Sequence, residues 1–241
     1  MLIRKLLLSI IEASTGIWPK IINAQASLLI LMKMLSEEQA ISRQEAIKGL
    51  QQRIRCCRLC EEHGYIPKAQ PLVSGHADDR IMVVGQAPGH RSVAKGRSFS
   101  GPGGSILQKW LEQAGFPPGY LHSHVYLSSL TRCDPGRNPQ GDGDRRPSQS
   151  EIALCKPFLD AEFRLLQPEV ILLVGTMAIE TFFGKVKLEE VIGTYQEHEG
   201  MLLLPLPHPS GVSRWLNDPE HLKLHKRALE ILAAWRVAYN L

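Results

Sequence analysis

The sequence predicts an α/β fold built on a parallel sheet, and two observations carry this prediction. Four apolar runs, at 81–85, 125–130, 170–174 and 201–206, are continuous rather than alternating, which is typical of parallel strands buried on both faces. Segments with helical periodicity separate these runs, as expected when helices cover the sheet. The 241 residues, 44% of them hydrophobic, suffice for one large domain with a complete core.

The helical segments lie near 104–114, 149–166, 176–183 and 218–236, with an earlier one near 36–56. Ser36 and Gln39 have the spacing of a capping box, so this first helix is predicted to begin at Ser36. Residues 134–148 are rich in proline, glycine, aspartate and arginine, which predicts a surface loop.

Residues 1–35 are predicted to be an extension of a domain that spans 36–241. This extension is a peripheral helix, a disordered segment or the product of an upstream start codon, and we favour Met34 as the natural beginning. Its apolar runs at 6–11 and 28–32 are too short to cross a bilayer, and no signal-peptide cleavage site follows them. We therefore expect a cytoplasmic protein without a membrane anchor.

Charge and cysteine content narrow the class of protein. A net charge of +4 and a pI near 8.8 are compatible with nucleic-acid binding but do not require it. Five cysteines without a secretory leader favour a metal site in a reducing compartment over a disulfide scaffold.

A glycine-rich loop follows the first apolar run. It reads Gly85-Gln86-Ala87-Pro88-Gly89 and is followed by the segment 90–101, which carries basic side chains and Phe99. Ligands bind at the carboxyl edge of parallel strands, and free backbone N–H groups suit an anion or a base edge. By itself, this pattern is equally compatible with an ordinary strand-to-helix connection.

Cysteines form a second pattern. Cys57 and Cys60 make a CxxC pair, and Cys133 and Cys155 follow singly. Four thiolates hold either zinc or a [4Fe–4S] cluster, whereas unlinked buried cysteines are the alternative. Cys56 is left over.

The motifs GQAPG and GRSFSG, the two late cysteines and HPSG, in this order, resemble the uracil-DNA glycosylase superfamily, and specifically its iron–sulfur branch, family 4. The resemblance runs from about residue 56 to the end of the chain. It implies a three-layer α/β/α sandwich around a four-stranded parallel sheet. It also implies a [4Fe–4S] cluster on Cys57, Cys60, Cys133 and Cys155, and a monomer that acts on DNA containing uracil or another deaminated base.

The same resemblance assigns a role to each candidate residue. Phe99 would stack on the extruded base, and His208 would donate to the oxygen on which negative charge develops. The other assignments are Gln86 with Gly85 and Ala87 at the base or sugar, Ser129 at the uracil edge, Ser210 at a phosphate, and Val212, assisted by Arg214, as the wedge that replaces the base.

Two departures from the family pattern concern carboxylates. Gln86 stands where family 4 has glutamate, and Ala87 stands where other families have aspartate. The sequence therefore predicts a monofunctional glycosylase that depends on leaving-group stabilisation by His208. The alternatives are a cluster-bearing nucleic-acid-binding protein that has lost hydrolysis and a zinc-stabilised α/β hydrolase acting on nucleotides.

Overall fold

A computed structural model describes residues 17–139, 143–209 and 214–241. The chain divides into two compact units, residues 1–45 and 46–241. Helix α1 (Ile17–Cys56) runs through this boundary, so the helix predicted to begin at Ser36 begins earlier, and Ser36 is not its cap. The described side chains between 29 and 43 are exposed. Within the described residues, no helix combines the length and apolar composition that a bilayer crossing requires.

The remaining unit is an α/β domain with one sheet. Its strands are β1 (Ile81–Gly85), β2 (Val125–Ser129), β3 (Val170–Val174), β4 (Gln196–His198) and β5 (Met201–Leu206). The order across the sheet is β2-β1-β3-β5-β4. The four predicted strands are present and pair in parallel, while β4 is an additional antiparallel edge strand. The prediction of a four-stranded sheet was therefore one strand short.

Edge strand β4 carries no apolar signal. All three of its residues are exposed, so neither a continuous run nor an alternating pattern marks it in the sequence. It is held by a two-residue hairpin in which Glu199 and Gly200 have φ values of +51° and +80°. Positive φ at both central positions is the geometry of a type I′ turn.

Helices flank the sheet. The segments predicted near 104–114, 149–166, 176–183 and 218–236 are helical within two residues of those bounds, whereas four short helices among the described residues were not predicted. The helices after α1 are α2 (Leu59–Glu62), α3 (His90–Ala94), α4 (Pro102–Gln113), α5 (Tyr120–Ser123), α6 (Gln149–Leu166), α7 (Thr176–Phe183), α8 (Leu188–Val191) and α9 (Pro219–Ala238). Helix α6 begins with a capping box between Ser148 and Glu151, which fixes where the long loop before it ends.

The strand order places a site at one edge of the sheet. The chain passes from β1 outward to β2 and then returns to the other side of β1 for β3, which makes a topological switch point between β1 and β3. Because β1, β2, β3 and β5 are parallel, their carboxyl ends share one edge. The segments that begin at Gln86, Leu130, Gly175 and Pro207 therefore all leave the sheet at that edge.

Candidate active site

Phe99 covers the end of β1. A Cβ on Gly85 would stand 2.9 Å from Cζ of Phe99, and a Cβ on Gly104 would collide with the Phe99 carbonyl oxygen. Phe99 is half-buried and has a φ of +52°, a left-handed conformation that costs a non-glycine residue of order 1–3 kcal/mol. Two glycines thus make room for a strained residue whose ring lies at the carboxyl edge of the sheet.

The end of β2 lies beside the end of β1. Gly85 and Ser129 are register partners, and the Leu130 N–H donates to the Gly85 carbonyl at 2.9 Å. Ser129 is buried, and its hydroxyl donates to the Thr131 carbonyl at 2.6 Å. Its proton is therefore already engaged, while the hydroxyl oxygen keeps its capacity to accept. Gln86 and Ala87 are half-buried at the same edge.

His208 follows β5 and packs on the end of β3. Gly175 has a φ of +88°, and a Cβ there would stand 3.0 Å from Cδ2 of the His208 ring. The Gly175 N–H also donates to the Leu206 carbonyl at 2.9 Å, which ties the two strand ends together. The residue after His208, Pro209, has its carbonyl oxygen against Gly103 at the start of α4.

Although His208 as a residue is solvent-exposed, protein atoms around its ring partly desolvate it. This desolvation lowers the pKa of His208 below its ordinary value, and the nearby positive charge of Arg146 lowers it further. The imidazole is therefore neutral at neutral pH and offers one N–H donor.

The loop before α6 reaches back to this edge. A Cβ on Gly89 would stand 2.7 Å from Oδ2 of Asp144. The other oxygen of this carboxylate, Oδ1, lies 3.7 Å from Nη1 of Arg137. Asp144 therefore lies beside the first glycine loop, and the charge of Arg146, two residues along, acts on His208. Asp144 thus brings a carboxylate to a loop that has none of its own.

Arginines of this loop fall into two groups. Arg132 is buried and pairs with the fully buried Glu162, and Arg145 binds Glu151 at 2.7 Å. These two arginines are not available for phosphate contact, because their charges are neutralised within the protein. Arg137 and Arg146 are exposed.

Four of the five cysteines come together. The Cys60 thiol interacts with those of Cys57 and Cys155, and Cys133 interacts with all three. Burial raises the pKa of Cys60 and of Cys133 to about 12, with a further rise from the neighbouring thiols. Cys57 directly follows α1, Cys60 lies in α2, Cys133 lies in the loop after β2, and Cys155 lies in α6. Cys56 is exposed and stands apart from this set.

The four thiols are the donor set of a Cys₄ site, which holds either zinc or a [4Fe–4S] cluster. In the described part of the chain, no three cysteine, histidine or acidic side chains are placed to hold one metal ion directly. By its chemistry, the donor set is compatible with the cluster that the family resemblance implies.

The family model described as the uracil DNA glycosylase superfamily matches residues 73–235. The chain belongs to this superfamily. A type-4 uracil-DNA glycosylase of Thermotoga maritima is 29% identical over 177 residues, covering 72% of this chain and 86% of the relative. Another, of Sulfurisphaera tokodaii, is 24% identical and covers 69% and 75%, respectively. A type-5 uracil-DNA glycosylase of Mycobacterium leprae is 30% identical, but covers 42% and 46%.

Not every predicted residue of this superfamily member can be placed. Ser210 and Val212 lie outside the described residues. Arg214 is exposed where the chain resumes. Trp215 stacks on His221 with 4.2 Å between ring centroids and packs against the core. Trp215 thus connects the start of the C-terminal helix, where His221 lies, to the core.

Sequence reasoning missed two features of the site, Gly175 and Asp144. Gly175 had a signal, because it follows Val174 just as Gly85 follows Val84, and a glycine at the end of a buried strand permits close approach. Asp144 had none, since the return of a 15-residue loop to the glycine loop is a tertiary event.

Proposed function

We propose that this protein is a monofunctional uracil-DNA glycosylase that hydrolyses the N-glycosidic bond of uracil, or of a related deaminated base, in DNA and so starts base excision repair. One observation carries the proposal. The Phe99 ring on Gly85 and the His208 ring on Gly175 lie at the same edge of the sheet, in a chain of this superfamily. Relatives that bear the name type-4 uracil-DNA glycosylase support it.

Base recognition would use Phe99 and Ser129. A base inside a duplex must be extruded before it can be attacked, and the half-buried Phe99 ring offers a stacking face. The Ser129 hydroxyl donates its hydrogen bond to the Thr131 carbonyl. Its oxygen therefore remains available to accept a hydrogen bond from the base. Uracil presents a ring N–H at N3, where cytosine presents a bare nitrogen, so an acceptor at this position favours the deaminated base. Gly85, Gln86 and Ala87 complete the pocket floor.

Bond cleavage would use His208. As the glycosidic bond breaks, its electron pair leaves with the base, and negative charge accumulates on a uracil carbonyl oxygen. A neutral imidazole packed on Gly175 would donate its N–H to that oxygen with little reorganisation, which is the condition for large electrostatic stabilisation. Water then adds to the sugar carbon, the base takes up a proton, and the products are free uracil and an abasic site.

The sugar becomes positively charged in the transition state, and the glycine loop supplies no carboxylate to stabilise it. Asp144 lies beside Gly89 in that loop and would take this role from outside the motif. We therefore assign the stabilisation of the sugar to Asp144, with Gln86 as a neutral neighbour that orients water by hydrogen bonding.

DNA contacts would come from the exposed basic side chains around the site. These are the residues of and after α3 together with the exposed arginines of the long loop and of the chain after β5: Arg91, Lys95, Arg97, Arg137, Arg146 and Arg214. Phosphate contacts of this kind position the duplex without reading its sequence. Ser210 at a phosphate and Val212 as the wedge complete the assignment.

Cys57, Cys60, Cys133 and Cys155 would hold a [4Fe–4S] cluster. When bound, it supplies structural cross-linking, because hydrolysis of the glycosidic bond transfers no electron. Through the cluster, these cysteines would cross-link the segment 57–60 to α6 and to the loop after β2. This loop begins directly after Ser129. The proposal further places activity in residues 36–241, with 1–35 as an extension, in a monomer of the reducing cytoplasm.

A second function has one observation in its favour. Because Gln86 and Ala87 replace the carboxylates of related enzymes, the protein could bind DNA through the same surface without hydrolysing it. Excision would be measured on a labelled oligonucleotide with a single uracil, followed by alkali cleavage, using full-length protein purified without oxygen. We expect cleavage at uracil, in single and double strands, and none at thymine or cytosine. DNA binding without cleavage at uracil or hypoxanthine would establish the alternative.

A further inference from the structure

We infer that Arg132, held in place by Glu162, is a positioning residue for Ser129 and thereby controls how the site recognises its base. The inference rests on the proposed function, since it concerns the hydroxyl assigned to the uracil edge. Both charged side chains are buried, and the sequence assigned neither of them a role in base recognition.

Arg132 joins the end of β2 to helix α6 through the two arms of its guanidinium group. Nη1 donates to the Ser129 carbonyl oxygen, and Nη2 donates to Oε2 of Glu162. The guanidinium is planar and rigid, so the position of one arm fixes the position of the other. The backbone at Ser129 is therefore set by where α6 holds the Glu162 carboxylate.

The Glu162 carboxylate also binds the strand that leads to Ser129. Its Oε2 accepts from the Ser128 hydroxyl at 2.7 Å, and its Oε1 accepts from the Tyr126 hydroxyl at 3.2 Å. Because residues two apart point to the same face of a strand, one carboxylate binds both side chains. The side chains of Glu162 and Arg132 are at most 2% exposed, so water does not compete for these hydrogen bonds.

The Ser129 hydroxyl belongs to the same short turn. It donates to the Thr131 carbonyl at 2.6 Å, while the carbonyl of Ser129 itself accepts from Arg132. The Thr131 amide in turn donates to the Gln86 carbonyl at 3.3 Å, which ties the turn to the glycine loop. With Arg132 in place, the hydroxyl proton is directed to Thr131, and its oxygen is left to accept from the base.

Stability alone does not account for the buried pair. A buried ion pair is often no more stabilising than apolar side chains of similar volume, because both charges lose their hydration. Arg132 recovers only part of this cost, since its Nε atom is buried and has no hydrogen-bond partner within the described residues. What the pair supplies, and apolar residues would not, is a fixed direction for the Ser129 carbonyl and the turn that follows it.

The test separates this role from stability and from the cysteine site. Arg132→Met combined with Glu162→Gln removes both charges together, a change that buried pairs often tolerate. Arg132→Lys keeps the charge but replaces the two-armed fork by a single ammonium group. Ser129→Ala removes the hydroxyl, alone and together with Arg132→Lys. Leu159→Ala is the control, because Leu159 is a buried core residue of α6 that takes part in none of these hydrogen bonds.

The readouts, on full-length protein purified without oxygen, are inhibition by free uracil, single-turnover excision, metal content, and hydrogen–deuterium exchange of residues 127–133 relative to β3. We expect both Arg132 variants to weaken uracil inhibition by roughly 3- to 10-fold, the effect of one misplaced hydrogen bond. Excision should slow by on the order of 10-fold. Exchange of residues 127–133 should accelerate relative to β3, while metal content stays at the wild-type level.

Two comparisons make the result specific to Ser129. In the Ser129→Ala background, Arg132→Lys should weaken uracil inhibition no further, because the hydroxyl that it positions is gone. Leu159→Ala should lower the free energy of unfolding, since it leaves a cavity in the core, but should keep wild-type uracil inhibition.

Wild-type uracil inhibition or unchanged exchange of residues 127–133 in the Arg132 variants would overturn the inference. So would a further loss when Arg132→Lys is added to Ser129→Ala, or a loss of metal that accompanies the loss of inhibition. If the wild type neither excises nor binds uracil, the proposed function fails, and the exchange data alone decide whether Arg132 holds the end of β2. Should the double substitution not fold, Arg132→Lys decides by the same criteria.

Discussion

Two glycines at the ends of neighbouring strands shape the site at the residue scale. Gly85 leaves room for the Phe99 ring and Gly175 for the His208 ring, so the positions of both functional rings depend on the absence of a side chain elsewhere. The motif residues were visible in the sequence. The surfaces against which they pack were not, because contact between β3 and the segment after β5 is long-range.

Gly175→Ala tests the support of His208. The added methyl group would stand 3.0 Å from Cδ2 of the ring, so we expect the imidazole to shift and single-turnover excision to fall by on the order of 10- to 100-fold. Gly184→Ala is the matched control, since Gly184 has a φ of +74° with no atom within 4 Å of its Cβ position. It carries the backbone strain without the contact and should excise at nearly the wild-type rate. Equal losses in both variants would assign the effect to strain.

Asp144→Asn tests the source of the carboxylate. Loss of its charge beside Gly89 should slow excision, and adding Gln86→Glu to the same variant should restore the rate by returning a carboxylate to the glycine loop. Single-turnover rates on one duplex substrate measure both changes. A parent rate for Asp144→Asn would show that the sugar cation is stabilised without it, and the exposed Asp78→Asn serves as control.

At the scale of elements, parallel strands were predictable because they are buried on both faces. Every residue of β1, β2 and β3 is buried. A short continuous apolar run is typical of a strand that is buried on both faces. Strand β4 is exposed and held by its hairpin turn, so composition gives no sign of it. The extent of α1 was missed because the Ser36–Gln39 spacing resembles a capping box, although the helix already runs through it.

Helix α9 carries a buried histidine that predicts acid sensitivity. His225 packs against Trp110 with 4.4 Å between ring centroids and an interplanar angle of 57°, and burial lowers its pKa from 6.5 to about 4. Between these values the unfolded chain binds a proton that the folded protein does not, so stability falls as the pH drops from 6.5 toward 4. The loss at pH 4.5 is roughly 2–3 kcal/mol.

His225→Phe removes the titrating group and keeps the aromatic contact. Urea unfolding at pH 7 and pH 4.5 should show a drop in the free energy of unfolding that is smaller in the variant than in the wild type by that amount. Equal drops would show that His225 does not titrate between these pH values.

At the scale of the whole molecule, the four cysteines connect segments that are far apart in sequence. The pairing of Cys57 and Cys60 with Cys133 and Cys155 was predictable from the family pattern. The buried Arg132–Glu162 pair was not predictable from the sequence. Arg132 also donates to the Ser129 carbonyl at the end of β2. Local sequence does not reveal whether a charged residue finds a buried partner.

Metal content tests the cysteine assignment. Protein purified without oxygen should be brown, with about four irons per chain, as a Cys₄ [4Fe–4S] site requires. Cys155→Ser should lose iron and stability, whereas Cys56→Ser should keep both, because Cys56 is exposed and outside the set. Colourless protein with one zinc per chain would contradict the assignment.

The most direct test of the account is the single-turnover rate of uracil release by the wild type and by His208→Ala, with DNA binding measured in parallel. His198→Ala, an exposed histidine on β4, is the control. If the imidazole stabilises the departing base, the rate should fall by on the order of 10²–10³ while affinity for DNA changes little. Release of uracil at the wild-type rate by His208→Ala would contradict the mechanism.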